Sequence, residues 1–433
     1  MLERLFALEH FGIKLGLENI TRLCEALGHP ERSFRSLHVG GTNGKGSVTA
    51  MTHASLLAAG LRAGRYISPH LIDLSERYVV GDAPVDSATL RQVADDVLSL
   101  VDRLRSDDVL SVSPTFFEVT TVMAFEIFRR AGVEVAVIEV GLGGRFDATN
   151  VITPVAGAIT TIGFDHQQHL GTTLEAIAFE KAGIIKHGMP IISGDLPSDA
   201  ARVIQRVANE REARLIEASR DVLIDWTMDD GRARLMLRTP SDQYGPVRLS
   251  LRGAHQVANA IVAIRLLEVA RESGIPVTTE AIERGLATTE WPARLEVLHV
   301  NNHKRVVIDA AHNVDGAEVL AAYLKQWHPE RPALVVSIMK DKDVDEILKI
   351  LLPATGDVFA TLAPSPRATP LEHLVELVAE IRPGSREHGV FAVADPMDAL
   401  EQALARHDVV CVAGSIFLAG AVRDALMRRA ILR

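Results

Sequence analysis

Short runs of β-branched and apolar residues alternate with Ala- and Leu-rich stretches of helical period along almost the whole chain, and this alternation leaves few folds open. A strand followed by a helix and a further strand closes a crossover, and repeated crossovers build a mostly parallel sheet covered by helices. The apolar runs predict strands over 35–40, 133–140, 155–162 and 190–193, and helical spacing predicts helices over 48–57, 117–129, 174–181 and 257–272. These form one large α/β domain. Residues 222–228, 233–237 and 247–251 alternate in polarity instead, the pattern of antiparallel strands in a small side sheet. A second α/β series starts near 297, with apolar runs at 305–308, 333–338, 358–361, 390–394 and 409–413. The expected division is therefore 1–296 and 297–433, with a hinge in 291–302.

A chain of 433 residues is too long for one ordinary core and suits two. With 47% hydrophobic and 24% charged residues, burial is feasible and disorder is not the default. A net charge of -10 offers no general attraction to nucleic acid or to an anionic membrane, so neither is an expected partner. Only Cys24 and Cys411 are present, which excludes a disulfide framework and a cysteine metal site and fits a reducing compartment. No signal-peptide pattern and no run long enough to span a bilayer is seen, so a cytoplasmic monomer is expected.

The strongest local signal is Gly40-Gly41-Thr42-Asn43-Gly44-Lys45-Gly46-Ser47, between an apolar strand and an Ala-rich helix. Glycines let the backbone N–H groups face a phosphate, and the helix start adds positive potential. Lys45 would meet the outer phosphates. The spacing departs from the common P-loop, because Gly46 separates the hydroxyl residue from the lysine and the leading glycine is one place closer. A glycine-rich surface turn is the plain alternative.

Glu139 stands at the end of the run Val135-Ala136-Val137-Ile138, where doubly wound sheets place ligands; a strand-end carboxylate reaching water is the alternative. His166 follows a second such strand. Lys181 shares a helical face with Leu174, Ile177, Ala178 and Ile184, so its ammonium must either snorkel to water or be chemically accommodated. Gly141-Leu142-Gly143-Gly144-Arg145-Phe146 lacks the third glycine of a dinucleotide fingerprint, since Phe146 stands in its place.

The glycine-rich loop resembles that of the Mur-ligase superfamily, and within it the folylpolyglutamate synthase and dihydrofolate synthase family. The resemblance recurs in order through Ser68-Pro69-His70-Leu71, Gly141-Leu142-Gly143-Gly144, Phe164-Asp165-His166, Phe179-Glu180-Lys181-Ala182-Gly183, His255-Gln256 with Asn259, Pro292-Ala293-Arg294-Leu295-Glu296 and Asp309-Ala310-Ala311-His312-Asn313. It implies a large P-loop-type α/β domain with a small antiparallel side sheet, followed by a C-terminal Rossmann-like α/β domain. It also implies ATP and small-molecule substrates rather than macromolecules, with two magnesium ions. Gly41, Thr42, Asn43, Gly44, Lys45, Gly46 and Ser47 would hold ATP phosphates, Asn259 the adenine and Asp309 the ribose, with Arg294 and His312 towards the phosphates. Ser68 and Glu139 match ligands of the first magnesium and His166 a ligand of the second, while Lys181 matches a carbamylated lysine that joins the metal shell. Thr115, Phe117, Arg145, Asp147 and Ala148 match or adjoin the pterin-binding positions, and the stretch from Gly144 to Asn150 is most like the bacterial bifunctional enzymes.

The reaction so implied joins L-glutamate to dihydropteroate or folate through an acyl phosphate, with Lys45, Lys181, Arg294 and His312 as catalytic candidates. A peptidoglycan-type Mur ligase is the nearest rival, against which Gly46-Ser47 and the Asp-Ala-Thr-Asn segment speak. A nucleotide-dependent switch is the other, and it has no need of Glu139, His166 and Lys181.

Overall fold

The computed structural model describes residues 2–8, 12, 16–301, 303–382 and 389–431. The first sheet contains β1 (Arg35–Gly40), β2 (Ala63–Tyr66), β3 (Tyr78–Val80), β4 (Ala83–Pro84), β5 (Val135–Glu139), β6 (Ala156–Ile159), β7 (Ile191–Ser193) and β8 (Leu215–Glu217), in the order β4-β3-β2-β5-β1-β6-β7-β8. The six strands from β2 to β8 in that order pair in parallel, and β3 and β4 add an antiparallel edge. Buried strands such as Val-Ala-Val-Ile-Glu in β5 carry no alternation, because helices cover both faces. Helices Ser87–Ser106 and Phe116–Arg130 supply one core, in which Phe128 packs edge-on against Phe34 with ring centroids 5.6 Å apart. Helices Leu174–Ala182 and Ser198–Glu210 lie in a second core with Ile159 and Ile191.

A small sheet of β9 (Leu223–Asp229), β10 (Arg232–Arg238) and β11 (Gln243–Arg252) follows. Asp230 (φ 49°) and Gly231 (φ 70°) make the two-residue turn that folds β9 back on β10, and a turn with positive φ at both positions matches the right-handed twist of the strands it joins. The last sheet contains β12 (Glu296–Asn301), β13 (Lys304–Ile308), β14 (Ala333–Val336), β15 (Val358–Ala360), β16 (Val390–Ala392) and β17 (Val409–Ala413), ordered β12-β13-β17-β14-β15-β16. All its pairs are parallel except β12 with β13.

By contacts the chain forms two units. One comprises Met1–Trp226, Leu235–Arg248 and Val257–Thr289, the other Thr227–Arg234, Leu249–Gln256 and Glu290–Arg433. The segment expected as a hinge contains a strand: Glu296 pairs with Ile308 and Val297 with Val307. Pro292 and the charged Arg294 mask the alternation that follows them. Among the described residues no helix is long and apolar enough to cross a membrane, and Cys24 and Cys411 are buried free thiols.

Phe128 is fully buried in the first core. Phe128→Ala is expected to destabilise the first unit by about 3–5 kcal/mol, read as an earlier urea transition; an unmoved transition would contradict this packing.

Candidate active site

Chain order places the switch point of the first sheet at β1. The chain leaves β1 for β2, returns to insert β5 between them, and then adds β6 on the other side of β1. Crevices beyond the carboxyl ends of strands at such a point are where open α/β sheets bind ligands. Val39 is level with Glu139 of β5, and Gly40 with Ile159 of β6.

The glycine-rich turn starts there. Gly41 has φ +143° and Gly44 +83°, and a Cβ on them would lie 2.0 Å from Thr160 Oγ1 and 2.5 Å from Asn259 Oδ1 respectively. Thr42 N donates to Thr161 O (2.7 Å), Asn43 N to Thr161 Oγ1 (2.9 Å) and Thr160 Oγ1 to Asn43 O (2.6 Å), so the turn is laced to the segment leaving β6. Lys45 opens helix Lys45–Ala58, whose first turn has no acidic residue and no side-chain cap, which favours an anion. Its Nζ donates to Gly41 O (3.1 Å) and Thr42 O (3.0 Å).

Lys181 reaches the same carbonyl, its Nζ 2.8 Å from Gly41 O. It is 4% exposed, beside the buried Ile177, Ala178 and Ala182, so its amine turns into the site rather than to water. Burial first, then the charge of Lys45, push its pKa down to about 7, against the pull of Asp165 and Asp147.

Glu139 is 6% exposed at the end of β5. Arg65 pairs in register with Val137 across β2 and β5, which puts it on the face that Glu139 shares. Burial draws the Arg65 pKa down to about 10 and Glu139 opposes the shift. Ser68 follows β2 on the same edge. His166 sits at φ 50°, its N–H donating to Asp165 Oδ1 (2.8 Å) and its Nε2 3.9 Å from the same oxygen. Among the described residues no three His, Cys, Asp or Glu side chains converge as a metal cage. Magnesium commonly takes one or two carboxylates together with phosphate oxygens and water, so a single buried carboxylate beside a glycine-rich turn that suits an anion fits it chemically.

The segment from Gly141 to Asn150 lies against the end of the Lys181 helix. Arg145 N donates to Glu180 O (2.8 Å), Asn150 Nδ2 to Gly183 O (3.0 Å), and a Cβ on Gly144 would lie 2.9 Å from both Glu180 O and Lys181 O. Phe117 fills the space above Gly141 and stacks on Tyr66 at 6.3 Å. Thr115 caps the Phe117 helix reciprocally with Glu118, its Oγ1 3.0 Å from Glu118 Oε2, and Ala148 is buried. Arg145 and Asp147 are engaged separately. Arg145 binds Glu180 at 2.6 Å between the rings of Phe146 (4.3 Å) and Phe179 (5.0 Å). Asp147 accepts from Leu142 N (2.8 Å), Thr149 N (3.0 Å) and Thr149 Oγ1, while burial raises its pKa.

The second unit gathers another set. Asp309, at the end of β13, accepts from Leu295 N and Ala311 N, both 2.8 Å, and burial raises its pKa against the pull of Arg294. His312 Nδ1 is 2.9 Å from Ala310 O, and Arg294 NH1 donates to Ala293 O (2.8 Å). Ala293 (φ 53°) and Leu295 (φ 48°) hold Arg294 between two left-handed, non-glycine residues, a strain that folds tolerate where a side chain must be aimed. His255 joins this set, its pKa drawn down to about 4 by burial and by Arg294. Asn259 is in the first unit, at Gly44. Arg65 and Asp165 carry no role in the sequence reading: a lone Arg in a strand gives no signal, and Asp165 is visible only as a neighbour of His166.

Known proteins match this architecture. The Mur ligase middle domain model matches residues 89–267 and the Mur ligase, glutamate ligase domain model residues 293–416. These define an ATP-dependent acid–amino-acid ligase of Mur type. The chain is 35% identical to the dihydrofolate synthase/folylpolyglutamate synthase of Bacillus subtilis over 96% of each chain, and 35% identical to the folylpolyglutamate synthase of Lacticaseibacillus casei over 94% of each. Folylpolyglutamate synthase of Mycobacterium tuberculosis complexed with ADP and AMPPCP superposes with a TM-score of 0.90 at 32% identity, over 98% of each chain. The chain belongs to the dihydrofolate synthase/folylpolyglutamate synthase family, enzymes that use ATP to join glutamate to folate.

The depressed Lys181 pKa has a consequence for stability. Between about pH 7 and 10.5 the unfolded chain holds a proton on this lysine that the folded chain does not, so this group makes stability rise with pH across that window; below it the full penalty applies. Lys181→Met, in carbonate-free buffer, is expected to gain stability over wild type at pH 6–7 and to lose that advantage towards pH 10. A pH-independent difference in thermal midpoint would contradict the buried amine.

Proposed function

We propose that the chain ligates L-glutamate to both dihydropteroate and reduced folates in one active site, through an acyl phosphate. The convergence of Lys45 and Lys181 on the Gly41 carbonyl, one strand from the buried Glu139, carries the reading. Support for both substrates comes from the Gly144 to Asn150 stretch, from the double name of the Bacillus subtilis relative, and from Escherichia coli FolC, solved in complex with DHPP and ADP (TM-score 0.86, 29% identity, 99% of this chain and 98% of that one).

In this reading a carboxylate oxygen of the pterin substrate attacks the γ-phosphorus of ATP and ADP leaves. The glutamate amine then attacks the acyl carbon, phosphate leaves, and the surplus proton passes to solvent. Gly41 to Ser47 cradle the phosphates, and Lys45 moves from its carbonyl contacts to meet the charge that develops on them. Asn259 is assigned to adenine, Asp309 to ribose, and Arg294 and His312 to the phosphates and the incoming group. Ser68 and Glu139 would hold one magnesium ion and His166 a second, with Lys181 joining as a carbamate. Bound there, magnesium would offset phosphate charge. A buried amine with a pKa near 7 supports the carbamate, because the free base is the form that adds carbon dioxide. Residues 1–296 carry ATP and pterin in this scheme, and 297–433 the glutamate ligase part. Phe117, Thr115, Arg145, Asp147 and Ala148 shape the pterin pocket, Thr115 and Asp147 by fixing backbone as much as by direct contact.

Glutamate-dependent phosphate release, measured with dihydropteroate and with tetrahydrofolate side by side, tests the proposal. Both substrates are expected to support release, and Lys45→Ala to lower it at least about a hundredfold with an unchanged circular dichroism spectrum. Release confined to tetrahydrofolate overturns the double substrate range, and near-normal turnover by Lys45→Ala overturns the phosphate turn.

A further inference from the structure

His38 is fully buried in the middle of β1, between the fully buried Leu37 and Val39, and the scheme above gives it nothing to do. Its Nε2 is 2.9 Å from Thr149 Oγ1. That hydroxyl in turn donates to Asp147 Oδ1, the same oxygen that takes Thr149 N (3.0 Å), while Asp147 Oδ2 takes Leu142 N (2.8 Å). A chain of hydrogen bonds thus runs from the central strand of the sheet, through Thr149, to the carboxylate that closes the loop between Gly141 and Asn150.

The protons along it can be placed by count. Burial raises the Asp147 pKa, but the carboxylate receives two backbone N–H groups and the Thr149 hydroxyl, all of which oppose that rise and suit the acceptor-only form. A threonine hydroxyl has one hydrogen, and it goes to Asp147, so the contact with His38 must be supplied by the imidazole, as Nε2–H. Nδ1 is then a bare lone pair. It is indeed the ring nitrogen that finds no hydrogen-bond partner among the described residues, and an unmatched acceptor is the cheaper of the two to bury. Burial, followed by the charge of Lys186, holds the His38 pKa down at about 3, so the ring stays neutral throughout the working range.

We propose that His38 is a positioning residue for the pterin substrate: its Nε2–H fixes the Thr149 hydroxyl, which fixes Asp147 and hence the loop backbone from Gly141 to Asn150. The inference rests on the assignment of that loop to the pterin. It differs from a plain packing role in requiring one donor at one place. Glutamine can present its Nε2 donor near the imidazole Nε2, whereas leucine fills the volume and donates nothing.

Steady-state kinetics with tetrahydrofolate and with dihydropteroate, on His38→Leu, His38→Gln, Thr149→Val and Asp147→Ala, test it. His38→Leu and Thr149→Val are each expected to raise the KM for the pterin substrate about tenfold, the effect of one unmade buried hydrogen bond, with the KM for ATP within about twofold of wild type. A double variant that combines His38→Leu with Thr149→Val should be no worse than about the poorer single one, since both break one chain, and His38→Gln should recover most of the loss. Thr149→Val is nearly isosteric, so it reports on the chain even if His38→Leu does not fold. Equal losses for the leucine and glutamine variants, parallel increases in both KM values, or additive losses in the double variant overturn the proposal. If Asp147→Ala raises the pterin KM while His38→Leu and Thr149→Val do not, the positioning role falls and the pterin loop stands. If Asp147→Ala leaves it unchanged, the loop assignment falls and the positioning role falls with it.

Discussion

The parallel register of β5, β1 and β6 governs the first unit. Parallel pairing aligns the carboxyl ends of all three strands, so Glu139, the turn after Gly40 and the threonines after Ile159 come to one level without any of them being near another in sequence. A slip of one residue in β1 would send His38 to the opposite face and pull Gly41 away from Thr160. The register in turn depends on buried Val, Ile and Leu with helices on both sides, which explains why so polar an edge can rest on so apolar a sheet.

That edge is held by backbone more than by side-chain pairs. Gly41 O receives two lysines, and Asn43 O receives the hydroxyls of both Thr160 (2.6 Å) and Thr161 (3.1 Å). A carbonyl is an acceptor that cannot lose its charge distribution by titration, and it leaves the Lys45 ammonium able to exchange it for a stronger anion. A carboxylate in the same place would pair with Lys45 and compete with an incoming anion. The positive potential of the site is thus kept available.

Much of this could be read in advance, and the limits have physical causes. The strands and helices of the sheet cores were legible because buried strands are continuous apolar runs and helices keep a 3.6-residue period; β12 was not, because it follows Pro292 and two left-handed residues within a segment that looks like a linker. Ala63–Tyr66 and Leu215–Glu217 are too short to show a period. Lys181 stood out on its apolar helix face since a charge there has to be accommodated. The engagement of Arg145 with Glu180 and of Asp147 with Thr149 had no such signal: partners thirty-five and two residues away are equally silent in a sequence until the backbone is folded. His38 was invisible for the same reason, a single histidine in a strand being indistinguishable from a satisfied core residue.

The close packing of Gly144 on the Glu180 and Lys181 carbonyls, with Gly183 against the Arg145 backbone and Asn150 bonded to Gly183 O, rivets the Gly141 to Asn150 loop to the end of the lysine helix. Two stretches of chain about thirty-five residues apart are therefore one mechanical part. Whoever exchanges this loop for that of another family member has to transplant the helix end with it, because a loop of different contour would push on the very turn that aims Lys181. The contour of this loop and the environment of the buried amine are, in this fold, a single unit.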